Sequence, residues 1–169
     1  MNDILLVRDL MTVGVPTCSA DTLVTDLARF LLENTLEGLI VLDPEGHAVG
    51  TIGQDDLVKA YAREDWHHLT AEQIMREDIP QIPPDIPVTA AAQIMRDQGV
   101  RVLFLMHHAD GIHWPAGMIS YRHLLRHLAA QDYAELRDLG IRAEREAPLK
   151  TFIKRREAAR HKASSHQEE

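Results

Sequence analysis

The sequence predicts an α+β fold built from two copies of one strand–helix–strand–strand–helix unit. Three observations carry that reading. The chain is self-similar at an offset of about 64 residues. In each copy, apolar residues at helical spacing run into a short aliphatic stretch. Each copy then closes on a Gly-x-Ile stretch followed by a second helical pattern.

The first copy opens on Val7-Arg8-Asp9-Leu10-Met11, which is echoed by Ala71-Glu72-Gln73-Ile74-Met75; Val15-Pro16 and Ile79-Pro80 follow. Leu23, Leu27, Phe30 and Leu31 predict a helix in the first copy, and Val88, Ala91, Ile94 and Met95 one in the second. Leu39 to Leu42 and Val102 to Met106 lack polar alternation, as strands buried on both faces do. Turns at Asp43-Pro44-Glu45-Gly46 and Ala109-Asp110-Gly111 reverse the chain into strands ending at Gly50-Thr51-Ile52-Gly53 and Gly117-Met118-Ile119-Ser120. Helices over Asp56 to Tyr61 and His123 to Leu128 close the copies. A unit of about 60 residues is marginal alone, so the two copies are expected to share a core. The expected divisions are 7–62 and 70–130 for the repeats, 131–162 for a helical C-terminal extension, and 163–169 for a disordered tail.

Composition bounds the function. With 45% hydrophobic and 26% charged residues over 169 positions, the chain is that of an ordinary globular protein. One cysteine, Cys18, excludes an intrachain disulfide and suits a reducing cytoplasm; it reads as a small buried hydrophobe. Neither a signal peptide nor a membrane span is expected, since no stretch reaches the roughly 18 apolar residues a span requires. The net charge is −8, yet the segment from Arg142 onward holds eight Lys/Arg against five Asp/Glu. An acidic body disfavours broad nucleic-acid binding; the basic tail suits docking on the body or on a partner. No nucleophile elbow, P-loop or Gly-x-Gly-x-x-Gly is present, so no enzyme is expected.

The paired Leu10-Met11 and Ile74-Met75, the Val41-Leu42-Asp43 stretch and the two closures, Gly50-Thr51-Ile52-Gly53-Gln54-Asp55-Asp56-Leu57 and Gly117-Met118-Ile119-Ser120-Tyr121-Arg122-His123-Leu124, resemble the cystathionine-β-synthase (CBS) domain family as a tandem pair, over about Val7 to Ala130. The resemblance implies two βαββα repeats with pseudo-twofold symmetry and a homodimer. It also implies clefts that take an adenosine-containing ligand such as AMP, ADP, ATP or S-adenosylmethionine, and a sensor that relays occupancy to a protein partner. In the family the closing Asp accepts hydrogen bonds from ribose hydroxyls, and the preceding Thr/Ser helps hold phosphate at the helix start. Here the first copy keeps the acid, Asp56, with Gly53 where the hydroxyl would stand and Gln54 between them. The second copy keeps the hydroxyl, Ser120, with His123 in place of the acid and Arg122 as a phosphate candidate. Each has a plainer reading: Asp56 as a first-turn acid, Ser120 as an N-cap, Arg122 as a solvated surface side chain.

Two alternatives stand beside the sensor. His107, His113, His123 and His127 form the candidate set for a metal-responsive protein, although ten histidines are more simply exposed or satisfied in the core. No metal or other cofactor is required by the main reading. The broken closures equally suit a dimerisation module that has lost its ligand. Trp114-Pro115 is a candidate platform for a base, with edge packing as the plainer role.

Overall fold

The computed structural model describes residues 4–109 and 111–130. The expected extension over 131–162, the tail over 163–169 and turn residue Asp110 lie outside the described residues. The chain runs through α1 (Val7–Leu10), β1 (Thr12–Val13), β2 (Thr17–Ser19), α2 (Val24–Glu33), β3 (Gly38–Leu42), β4 (Ala48–Gly53), α3 (Gln54–Tyr61), a 3-10 turn at Trp66–His68, α4 (Ala71–Ile74), α5 (Val88–Gln98), β5 (Val102–Ala109), β6 (Ile112–Ser120) and α6 (Tyr121–Ala129). The expected strand–helix–strand–strand–helix order is therefore complete in the first repeat and lacks only the leading strand in the second.

Two three-stranded sheets form, ordered β2-β3-β4 and β1-β6-β5. In the first, β2 runs parallel to β3, and β3 pairs antiparallel with β4. In the second, β5 and β6 make an antiparallel hairpin, and β1 joins β6 through Thr12↔Met118 and Val13↔Gly117. Thus β1, from the first repeat, completes the sheet of the second. The reverse also occurs: Arg76, just after α4, exchanges two 2.9 Å backbone hydrogen bonds with Thr51 of β4. Beside β5, the counterpart of β2 shrinks to one parallel bridge, Gln81↔Phe104. Pro80, Pro83 and Pro84 surround it, and proline has no N–H to extend a ladder.

The exchange continues at the helix starts. Val7 N–H donates to the Ile86 carbonyl and Val88 N–H to that of Leu5, both at 2.9 Å. In the mirrored contact, Ala71 N–H reaches the Thr22 carbonyl at 2.8 Å and Val24 N–H that of Leu69 at 2.9 Å. Packing follows the same rule. Val7, Leu10 and Met11 of the first repeat are buried among Ala91, Met95 and Ile119 of the second, while Ala71 joins Leu27, Leu39 and Ile52 of the first. Between the sheets, Val15 and Ile40 meet Val102, Phe104 and Met118. Met11, Met95 and Met118 are buried and Met75 and Met106 half-buried.

Two glycines permit the exchange. A Cβ at Gly50 would lie 2.7 Å from Met75 Sδ and 2.8 Å from the Arg76 carbonyl oxygen. A Cβ at Gly117 would lie 3.0 Å from the Thr12 carbonyl oxygen and 3.3 Å from Met11 Sδ. Each Gly-x-Ile closure therefore holds the space into which the other repeat's Met-bearing segment packs.

Helix α2 buries a narrower stripe than periodicity predicts. Its Leu27 and Leu31 are buried, but Phe30 and the preceding Leu23 are exposed. Cys18 is half-buried in β2, not fully buried as expected. Burial pushes its thiol pKa up to about 11, with a smaller contribution of the same sign from the Asp21 carboxylate and an opposing one from a Thr22 hydrogen bond.

Substituting Gly50→Ala should destabilise the chain by about 2–3 kcal/mol, because carbonyl backbone must move, and Gly117→Ala by roughly half as much. Urea denaturation followed by circular dichroism measures both; equal losses would refute the ranking. With its thiol pKa raised from 9.0 to about 11, Cys18 carries less thiolate in the native state. Its alkylation by iodoacetamide at pH 8 should be about a hundredfold slower natively than in urea.

Candidate functional site

A cleft of about 320 Å³ opens where the start of α3 faces the second repeat. Its walls include Gly53, Gln54, Asp56 and Lys59 from the first repeat and Arg76 and Arg101 from the second. The cleft exists because β4 ends at Gly53 and the chain turns directly into α3, placing that helix's N-terminal turn at the sheet edge. Gly53 leaves the mouth free of a side chain.

Asp56 is the organising group. It is buried, and its Oδ2 accepts the Gly53 N–H at 2.9 Å, which satisfies one of the orphan donors of the helix start. Its Oδ1 lies 3.9 Å from Lys59 Nζ. A carboxylate has about four lone-pair sites, so acceptor capacity remains for further donors. Gln54 is held by two contacts: its backbone N–H donates to the Glu37 carbonyl at 3.3 Å, and its Nε2 to that of Leu36 at 3.2 Å. Arg101 Nη2 crosses from the second repeat to Asp55 Oδ1 at 3.2 Å. One wall thus carries a buried acid, and Lys59, Arg76 and Arg101 supply cations around it. Such a site can accept hydrogen bonds from vicinal hydroxyls while pairing with an anion.

The remaining predicted site residues sit at the pseudo-equivalent start of α6, with a different arrangement. Ser120 and His123 are both buried and bonded to each other: the Ser120 N–H donates to His123 Nδ1 at 3.0 Å, and Ser120 Oγ lies 3.1 Å from the same nitrogen. His123 Nε2 meets Thr12 Oγ1 of β1 at 2.8 Å. Since Nδ1 accepts from a backbone donor, the neutral ring carries its proton on Nε2 and donates it to Thr12. The Arg122 N–H donates to Glu37 Oε2 at 3.0 Å, and the side chain is exposed. Burial, with a smaller contribution from the neighbouring Arg122 charge, lowers the pKa of Arg126 one turn along α6.

The histidines do not converge. On the β5–β6 hairpin, His107 pairs with Trp114 and His108 with His113, so His107 and His113 face opposite sides. The rings of His108 and His113 meet edge to face at 3.7 Å, and His107 stacks on Trp114 at 5.7 Å. His123 is committed to Ser120 and Thr12. Among the described residues no three His, Cys, Asp or Glu side chains group as metal ligands. Trp114 is buried on the hairpin and does not line the Asp56 cleft.

Sequence reasoning did not single out Arg76, Arg101 or Glu37. A signal existed in the repeat offset: it aligns Arg101 with Glu37, a reversal of charge, and Arg76 with Thr12, a cation against a neutral hydroxyl.

A family model described as CBS domain matches residues 7–63 and 71–130. An uncharacterized 17.7 kDa protein of Acidianus ambivalens is 29% identical over 122 residues, covering 72% of each chain. Among solved structures, the CBS domain pair of protein MJ0100, crystallised in complex with 5′-methylthioadenosine and S-adenosyl-L-methionine, superposes with a TM-score of 0.63 at 21% identity, covering 77% of this chain and 100% of that one. The CBS-domain containing protein ATU1752 of Agrobacterium tumefaciens gives 0.63 at 20%, covering 73% and 93%. With both repeats matched and their order reproduced in the fold, the chain belongs to the CBS domain family, as a tandem pair.

Proposed function

We propose that this CBS pair is a non-catalytic regulatory module that binds an adenosine-containing ligand in the Asp56 cleft and relays occupancy to a protein partner. The observation that carries the reading is the buried Asp56 carboxylate, with Lys59 beside it on α3 and Arg76 and Arg101 contributed by the second repeat, in a cleft about 320 Å³ in volume. Asp56 accepts from the ribose hydroxyls, and the cations take the ligand's phosphate or carboxylate. The complex of the MJ0100 pair with two adenosyl compounds supports the ligand class. Because the walls come from both repeats, a ligand touching both favours the inter-repeat arrangement that it fits best, and shifts the population toward it. No described helix is long and apolar enough to cross a membrane.

The relay runs through a homodimer in this reading. Val58 and Tyr61 on α3 are 70% and 68% exposed, and their pseudo-equivalents Leu125 and Leu128 on α6 are 63% and 79% exposed. An apolar groove of about 230 Å³ between α2 and α3, lined by Ala28, Leu57 and Trp66, adjoins them. Two apolar stripes related by the internal symmetry suit a second copy of the same chain, as an isologous contact requires.

Thermal melting with AMP, ADP, ATP and S-adenosylmethionine tests the ligand. A compound at 100 times its Kd should add about 2.7 kcal/mol of stability. Asp56→Asn keeps an oxygen for the Gly53 N–H but removes the charge, and should weaken binding roughly 10–100-fold. A flat response to all four compounds would sink the reading. Sedimentation equilibrium tests the dimer: the wild type should sediment at twice the chain mass, and Val58→Glu with Leu125→Glu at the chain mass. A monomeric wild type would remove the dimer from the proposal.

A further inference from the structure

The starts of α3 and α6 are related by the repeat offset but differ in what occupies them. At the first, Arg101 reaches the first turn of α3; at the second, its pseudo-equivalent Glu37 reaches the first turn of α6. Glu37 places Oε2 3.0 Å from the Arg122 N–H, where an anion at a helix start would accept that bond. An incoming phosphate would have to displace a covalently tethered carboxylate or sit beside its charge. The ribose acceptor is missing as well. His123 stands at the position of Asp56, is buried, and has Nδ1 turned to the Ser120 N–H and Nε2 to Thr12 Oγ1. Thr12 belongs to β1, the exchanged strand, so this link ties α6 to the other repeat. At the first cleft, the position of Thr12 is held by Arg76, which lines an open space.

We infer that the chain has one ligand-competent cleft, and that Glu37, with His123, is the specificity-determining element that closes the other to anionic nucleosides. The inference rests on the adenosine reading for the open cleft, while the closure itself stands on the Glu37, Ser120 and Thr12 contacts. Glu37 also contributes its backbone carbonyl to Gln54 at the open cleft. One residue therefore shapes both sites, through its carbonyl at one and its carboxylate at the other.

Equilibrium dialysis of the full chain against labelled AMP and ATP tests the stoichiometry. The wild type should bind one nucleotide per chain, Asp56→Asn should bind it at least tenfold more weakly, and the double variant Glu37→Ala with His123→Asp should bind two. Two nucleotides on the wild type would overturn the inference, as would an affinity unchanged in Asp56→Asn, or a folded double variant that stays at one. A second measurement separates this from failure of the adenosine reading. Titration with inorganic phosphate should leave the Arg122 amide resonance stationary in the wild type and move it in Glu37→Ala. If neither nucleotide binds the wild type, the adenosine reading falls and the amide titration alone decides the closure; movement in the wild type overturns it.

Discussion

The packing of each repeat's Leu-Met or Ile-Met segment against the other repeat's glycine is the constraint on which the remaining architecture depends. Met11 lies over Gly117 and Met75 close to Gly50, and in both cases the carbonyl of the next residue comes close enough to exclude a Cβ at ordinary contact distance. The same two segments supply Leu10 and Ala71 to hydrophobic clusters dominated by the opposite repeat. Neither repeat closes its own core. A unit of about 60 residues buries too little apolar surface to be robust, and exchange doubles the core available to each.

That exchange also creates the cleft. Arg76 reaches the wall opposite Asp56 only because its segment pairs with Thr51 on the edge of β4. Arg101 arrives there because β5 begins beside the first repeat. The cleft is lined by groups from both halves, so its walls depend on the same contact that holds the halves together. The pseudo-symmetry that relates the starts of α3 and α6 does not equip them alike: charge is reversed at residues 37 and 101, and an acid is traded for an imidazole at 56 and 123.

The legibility of these features was uneven, for physical reasons. Helix and strand identities followed from local patterns, and Leu39 to Val41 and Leu103 to Phe104 are as fully buried as their unbroken apolar runs predict. Gly53, Gln54 and Asp56 were readable because the closure places them in one turn. Ser120 and His123 were readable as a pair but not as mutual partners; a side chain that bonds its own helix start looks, in sequence, like one poised for a ligand. Phe30 belongs to the apolar spacing that predicted α2 and is nonetheless exposed, since a 3.6-residue period defines a face but not how wide a stripe the neighbouring element covers. The histidines were gathered by proximity along the chain, whereas strand alternation sends His107 and His113 to opposite sides.

By itself, the sequence determined the repeat, the type of its elements, the family and the acid Asp56 at the first closure, because each is written in residues close together along the chain. The tertiary structure alone decided which repeat each leading segment joins, and hence that Arg76 and Arg101 face Asp56 while Glu37 and Thr12 occupy the start of α6. Those partners lie dozens of residues from the groups they meet. Their encounter is set by the close approach of backbones at Gly50 and Gly117, a property of the packed core that no local pattern encodes.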